Sequence, residues 1–155
     1  MFGRSSFVIV GLLSLLGGVA YDRANLPVGT RVAFLSCGQG DATLLMSGEW
    51  TVLIDAGPRT AGFDAGERLI APQLRSFGVR YIDCLSVTHP DIDHVGGLAT
   101  VADRFRVGRV LVSSAFRENE EMLGALGRAG FSESQVSWLD GVWKVPAYIA
   151  ALPAG

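Results

Sequence analysis

Both histidines of this 155-residue chain, His89 and His94, fall in one short window with Asp91 and Asp93 between them. Imidazole nitrogen with carboxylate oxygen is the ligand set of catalytic zinc, and manganese and iron accept the same donors. In an extended segment, alternation at 89, 91 and 93 puts three side chains on one side, and His94 adds a nitrogen from the neighbouring position. Gly96 and Gly97 follow, and glycines there allow the backbone to turn tightly around an ion. A solvated turn with aspartates at cap positions would explain any one of these residues, but not all four together. The window is therefore read as metal-binding through His89, Asp91, Asp93 and His94.

Two further carboxylates are candidates for support. Asp55 ends the apolar run "TVLID" and precedes Ala56-Gly57. A carboxylate at a strand end can orient a ligating histidine or a loop amide, and an ordinary turn aspartate is the alternative. Asp41 follows "CGQG", where Gly38 and Gly40 permit positive φ and close backbone approach; spacing alone favours a plain hairpin turn. Asp64 and Asp83 read as structural, the first as a helix cap.

A loop leaving the carboxyl end of a buried strand is where α/β sheets place their chemistry. The run "YIDCLSV", Tyr81 to Val87, is such a strand, and it delivers the chain to His89. Upstream, "RVAFL", "ATLLM" and "TVLID" read as a meander of short strands joined by glycine-bearing turns. Asp64 with Glu67 three residues on suggests a capping box, followed by Leu69, Ile70, Leu74 and Phe77 at helical spacing. Pro72 inside that segment predicts a kink or short break. "GGLATVADRF" reads as a helix beginning just after His94, "RVLVSSA" as a strand, and "NEEMLGALGRAG" as a helix from Asn119 to Gly130. "QVSWL" and "AYIAAL" are the final strands. A meander followed by alternation predicts an α/β chain with a mixed sheet (α+β in layout) and helices packed on it. Helices on one face leave the other face of that sheet to be covered.

Hydrophobic residues make up 49% and charged residues 18% of the chain, with a formal charge of −2. That composition excludes a disordered segment and gives no global basic field for nucleic acid; a bound metal can still supply local positive charge. Cys37 and Cys84 are too few for a disulfide framework and read as buried small hydrophobes. Residues 1–22 hold "FVIVGLLSLLGGVAY", Phe7 to Tyr21, uncharged and preceded by Arg4. It is shorter than the roughly 18 to 20 residues of a spanning helix. It suits the apolar region of a signal peptide, with small residues at Gly18 and Ala20, or the tail of a membrane helix. Either way the chain is expected at a bacterial membrane or exported. Residues 23–30 form a polar linker, and 31–155 the domain.

"THPDIDHVGG" resembles the first metal motif of the metallo-β-lactamase fold, H-x-H-x-D-H, with Asp91 where most members have the second histidine. Together with "FLSCGQGDATLL", "VLIDAG" and "FDAGERLIAPQLRSFGVRYIDCLSVTH", it resembles the carboxy-terminal hydrolase domain of ComEC-type competence proteins. The resemblance is dense from Arg31 to Phe105. It implies two divalent metals, zinc or manganese, with His89 and Asp91 at the first and Asp93 and His94, also taken as catalytic, at the second. It also implies that Asp55 supports them and that the Asp41 turn faces them. The implied reaction is metal-assisted hydrolysis, with DNA as substrate during uptake. Ser36-Cys37 stand where the family has D-V. The fold the resemblance implies is an αββα sandwich of two similar halves, preceded by an apolar helix. This chain corresponds to the amino-terminal half and lacks the later G-D and H-H-G-S motifs. The expectation is thus a hydrolase domain completed by a missing second half. The alternative is a non-catalytic membrane-tethered remnant or assembly half, and β-lactam hydrolysis is a weaker third. On its own, such a chain should bind metal weakly, turn over little DNA and self-associate.

Overall fold

The computed structural model describes residues 29–48 and 50–140. The apolar segment from Phe7 to Tyr21 and the strand expected in "AYIAAL" lie outside those residues. Among the described residues no helix is long and apolar enough to cross a membrane.

Strands β1 (Thr30–Phe34), β2 (Thr43–Ser47) and β3 (Trp50–Ile54) form the expected antiparallel meander. A small hairpin of β4 (Arg59–Thr60) and β5 (Phe63–Asp64) follows. It lies where the sequence was read as passing straight from turn to helix; strands of two residues are too short to leave an alternating pattern. The chain then makes a π-helical turn over Gly66–Ile70 that passes into α1 (Ala71–Ser76). Pro72 sits in the first turn of α1, immediately after the π-helical turn, so the expected break falls at this handover. Half of the capping box forms. The Glu67 N–H donates to Asp64 Oδ1 at 3.1 Å, while the Glu67 carboxylate is taken by Arg104.

Strand β6 (Tyr81–Val87) has the bounds read from its apolar run, and α2 (Ile92–Val95) and α3 (Leu98–Arg104) follow it. Then come β7 (Arg106–Ser113), α4 (Glu120–Arg128) and β8 (Val136–Leu139). Asn119 caps α4 by accepting from the Met122 N–H at 2.8 Å.

The main sheet is mixed, ordered β1-β2-β3-β6-β7-β8, with β3, β6, β7 and β8 parallel. Its two faces differ sharply. Leu44, Leu53, Leu85 and Val110 lie in one cross-strand row, each fully buried beneath the helices with Ile70, Leu74, Leu98 and Met122. Complete burial of each such side chain contributes about 2 kcal/mol over leaving it in water. The alternate rows carry Val32, Leu45 and Val52, then Phe34 and Ile54. There Val32 is 53% and Phe34 86% exposed, so the β1 end of this face is apolar and uncovered among the described residues, while Cys84 and Leu111 further along the same rows are buried.

Candidate functional site

The seam between β3 and β6 is where the antiparallel meander meets the parallel half, and both strands end there at their carboxyl ends. Backbone hydrogen bonds stitch three loops together at that point. The Asp41 N–H donates to the Asp93 carbonyl at 3.2 Å, Ala56 N–H to that of His94 at 2.8 Å, Gly57 N–H to that of Asp41 at 3.0 Å, and Gly97 N–H to that of Gly57 at 3.0 Å. The approach is so close that a Cβ on Gly40 would collide with the Asp93 carbonyl, and one on Gly97 with that of Ala56. Gly96 and Gly97 have φ of −58° and −84°. Their small size is used for close packing, not for the tight turn around an ion that the sequence suggested.

A second difference concerns the window itself. Asp91 is extended, at φ −62° and ψ 147°, but Asp93 and His94 lie within α2. The alternating pattern of an extended segment does not hold past Asp91, because four residues close a helical turn before Gly96. Asp91 stands at the N-cap of α2, yet its carboxylate makes no capping bond. It is thereby left available for other partners.

Asp55 organises one end of the site. Among the described residues it is the one non-glycine with positive φ, at 58°, a conformation that aspartate tolerates better than most residues. It is 3% exposed. Its Oδ1 accepts the Thr88 N–H at 2.9 Å, and its Oδ2 accepts the Thr88 hydroxyl at 2.6 Å and His94 Nδ1 at 2.9 Å. An ionised carboxylate only accepts, so Nδ1 carries the proton and the neutral ring presents its lone pair at Nε2. That nitrogen faces Asp41 Oδ2 at 3.7 Å and Asp93 Oδ2 at 3.8 Å. Burial pushes the His94 pKa down, but the hydrogen bond and charge of Asp55, then the charges of Asp93 and Asp41, outweigh it and hold the pKa above its ordinary value.

His89 occupies the other end. Its side chain is 48% exposed, and Nδ1 lies 3.1 Å from Asp91 Oδ2, itself on a largely exposed carboxylate. The two imidazole centroids are 6.0 Å apart. All six residues singled out from the sequence thus lie at one place, in two sets: His89 with Asp91, and His94 with Asp93, Asp41 and Asp55. Thr88 was missed. Its signal was its place between the end of an apolar strand and the first histidine, and a lone threonine there says nothing of its partner 33 residues upstream. Asp83 is structural as read, accepting the Thr51 N–H at 2.8 Å.

Among the described residues no three His, Cys, Asp or Glu side chains stand close enough to hold an ion as they are. The donor chemistry nevertheless fits one. The Nε2–oxygen spacings at His94 are too wide for hydrogen bonds, yet below twice the roughly 2.0–2.2 Å bond of a zinc ligand. Asp41 and Asp93, with side chains 73% and 47% exposed, are free to rotate inward.

Residues 35–139 match the family model of the metallo-beta-lactamase superfamily. The chain belongs to that superfamily. As a metallo-beta-lactamase-fold, hydrolase-type protein it falls within a family that uses divalent metals. It is 26% identical over 121 residues to ComE operon protein 3 of Bacillus subtilis (strain 168), a match covering 68% of this chain and 16% of that protein. The chain therefore spans a small part of that relative's length, and the match bears out the resemblance to ComEC-type competence proteins. Among solved structures it is similar to a chemotaxis sensor ODP in its peroxy diiron species, with a TM-score of 0.52 and 15% identity over 74% of this chain and 43% of that one. That likeness concerns the fold. The rubredoxin oxygen:oxidoreductase of Desulfovibrio gigas matches with a TM-score of 0.49 and 20% identity, over 74% of this chain and 24% of that one.

Proposed function

We propose that this chain is part of a metal-dependent phosphodiesterase acting on DNA, in a competence-type uptake system at the cell envelope. The observation that carries the reading is the sorting of donors at one sheet end, with His94 already held in the tautomer that offers Nε2. His89 and Asp91 would hold one divalent ion, zinc or manganese, and His94, Asp93 and Asp41 the other. Such ions, when bound, polarise a phosphoryl oxygen and make water a competent nucleophile near neutral pH. The chain's own groups do the rest. Asp55 and Thr88 keep the Nδ1 proton of His94 in place, and Asp41 and Asp93 concentrate negative charge beside Nε2. A groove of about 530 Å³ runs beside the window, between Asp91, Ile92, Asp93 and Val95 on one wall and Glu121 and Arg128 on the other. It offers room for a strand of nucleic acid, with Arg128 as a cation for its phosphates. The uncovered sheet face around Phe34 is the surface that the second half of the sandwich would cover, and the segment from Phe7 to Tyr21 would provide membrane attachment or export.

The absence of a closed three-ligand cluster among the described residues favours a second reading, a non-catalytic tethered or assembly half. Titration of the full chain with zinc or manganese, followed by incubation with labelled single-stranded DNA, separates the two. Metal binding and strand cleavage that both disappear in His94→Ala support the hydrolase. A chain that takes up neither metal overturns it in favour of the second reading, whereas weak uptake with little cleavage is what the half-site of a hydrolase gives.

A further inference from the structure

We propose that Phe116 is a positioning residue for His89, an assignment that rests on the metal-binding reading above. His94 is held from behind by a buried carboxylate, whereas among the described residues the carboxylate beside His89 is that of Asp91, which the same reading uses as a ligand. A ligating imidazole ordinarily needs a partner that fixes its orientation. The ring that fills this place is Phe116, edge-on to His89 with centroids 5.4 Å apart and planes at 79°. This is the preferred T-shaped arrangement of aromatic pairs.

The anchoring runs in one direction, from Phe116 to His89. Phe116 packs against the hydrophobic core. It closes a 3-10 turn, Ser114–Phe116, at the end of β7. That turn is fixed by Ser113 Oγ accepting the Ala115 N–H at 3.3 Å and by the Asn119 N–H donating to the Phe116 carbonyl at 3.1 Å. The next residue, Arg117, lies over the Trp138 ring at 5.7 Å, tying the turn to β8. His89, by contrast, is half exposed on a loop. A core-anchored ring beside a loop-borne one limits the rotations of the loop-borne one. Because it is apolar, it does so without competing for either ring nitrogen.

The test uses the full chain with zinc alone and proton NMR of the two histidines. In the unaltered chain the ring protons of His89 should be displaced from their usual positions by the Phe116 ring current. Phe116→Leu, which keeps apolar bulk, should remove that displacement and weaken zinc binding roughly ten-fold. Phe116→Tyr should restore both. Zinc binding unchanged in Phe116→Leu but lost in His89→Ala would overturn the proposal and leave the metal reading standing. Zinc binding indifferent to His89→Ala would overturn the reading and the proposal together. Should Phe116→Leu fail to fold, the unaltered chain still decides: His89 protons at unshifted positions overturn the proposal.

Discussion

The two histidines of the window are held in opposite ways. His94 lies in a helix, with Nδ1 locked to a buried carboxylate that also takes both donors of Thr88. His89 stands on a loop, half exposed, with an exposed carboxylate on one side and an aromatic edge on the other. One end of the site is built into the fold and the other is laid upon it. Damage to the first should therefore destabilise the protein, while damage to the second should chiefly alter binding.

The sharpest way to break this contrast is Asp55→Ala. It strands three donors in a buried place and puts alanine at a φ that favours aspartate, asparagine or glycine. The expected loss is about 3 kcal/mol in denaturant unfolding, together with metal affinity; a loss below about 1 kcal/mol would show that the seam does not depend on this carboxylate. Thr88→Val should cost less, about 1 kcal/mol, because it removes one hydroxyl donor while keeping the Thr88 N–H bond. Thr88→Ser should recover most of that, and equal losses in both variants would place the effect in packing rather than the hydroxyl. At the other end, Asp91→Ala should leave the unfolding midpoint within about 0.5 kcal/mol of the parent, as expected for an exposed ion pair. Its zinc binding should nonetheless fall, and a large stability loss there would erase the contrast.

The smallest effect concerns Cys84, a buried thiol on β6 at the same seam. Burial pushes its thiol up to about 12, with Arg109 partly opposing and Asp83 adding to the rise. The sign follows from the thiol being held neutral in the folded chain. Stability is fully present below the unfolded thiol's ordinary value and drains away as pH rises from there toward 12. Alkylation of native Cys84 by iodoacetamide at pH 9 should accordingly be slower than that of the unfolded chain, and equal rates would show the thiol is not buried.

The site residues were legible because carboxylates and imidazoles are costly to gather unless they act together. The β6 strand was legible because an apolar run buried on both faces leaves no other reading. What escaped was long-range or short-lived in sequence. The partnership of Thr88 with Asp55 is set by the pairing of β3 with β6, which no local pattern reports. The helical turn at Ile92–Val95 is four residues long, below the length at which periodicity shows. The role of Gly96 and Gly97 changed for the same reason. Their neighbours in space are Pro58, Arg59, Ala56 and Gly66, brought there by the fold.

The β3–β6 seam has a mechanical consequence. Four stitches of the site cross it: Asp41 to Asp93, Ala56 to His94, Gly57 to Gly97, Asp55 to Thr88. The fifth, Gly57 to Asp41, joins two loops of the meander. A pull that opened the seam would therefore part His94 from Asp55 and break these four stitches together, leaving the His89–Asp91 pair together on one side. Any signal from the contact of His94 with Asp55 thus reports whether the seam is closed.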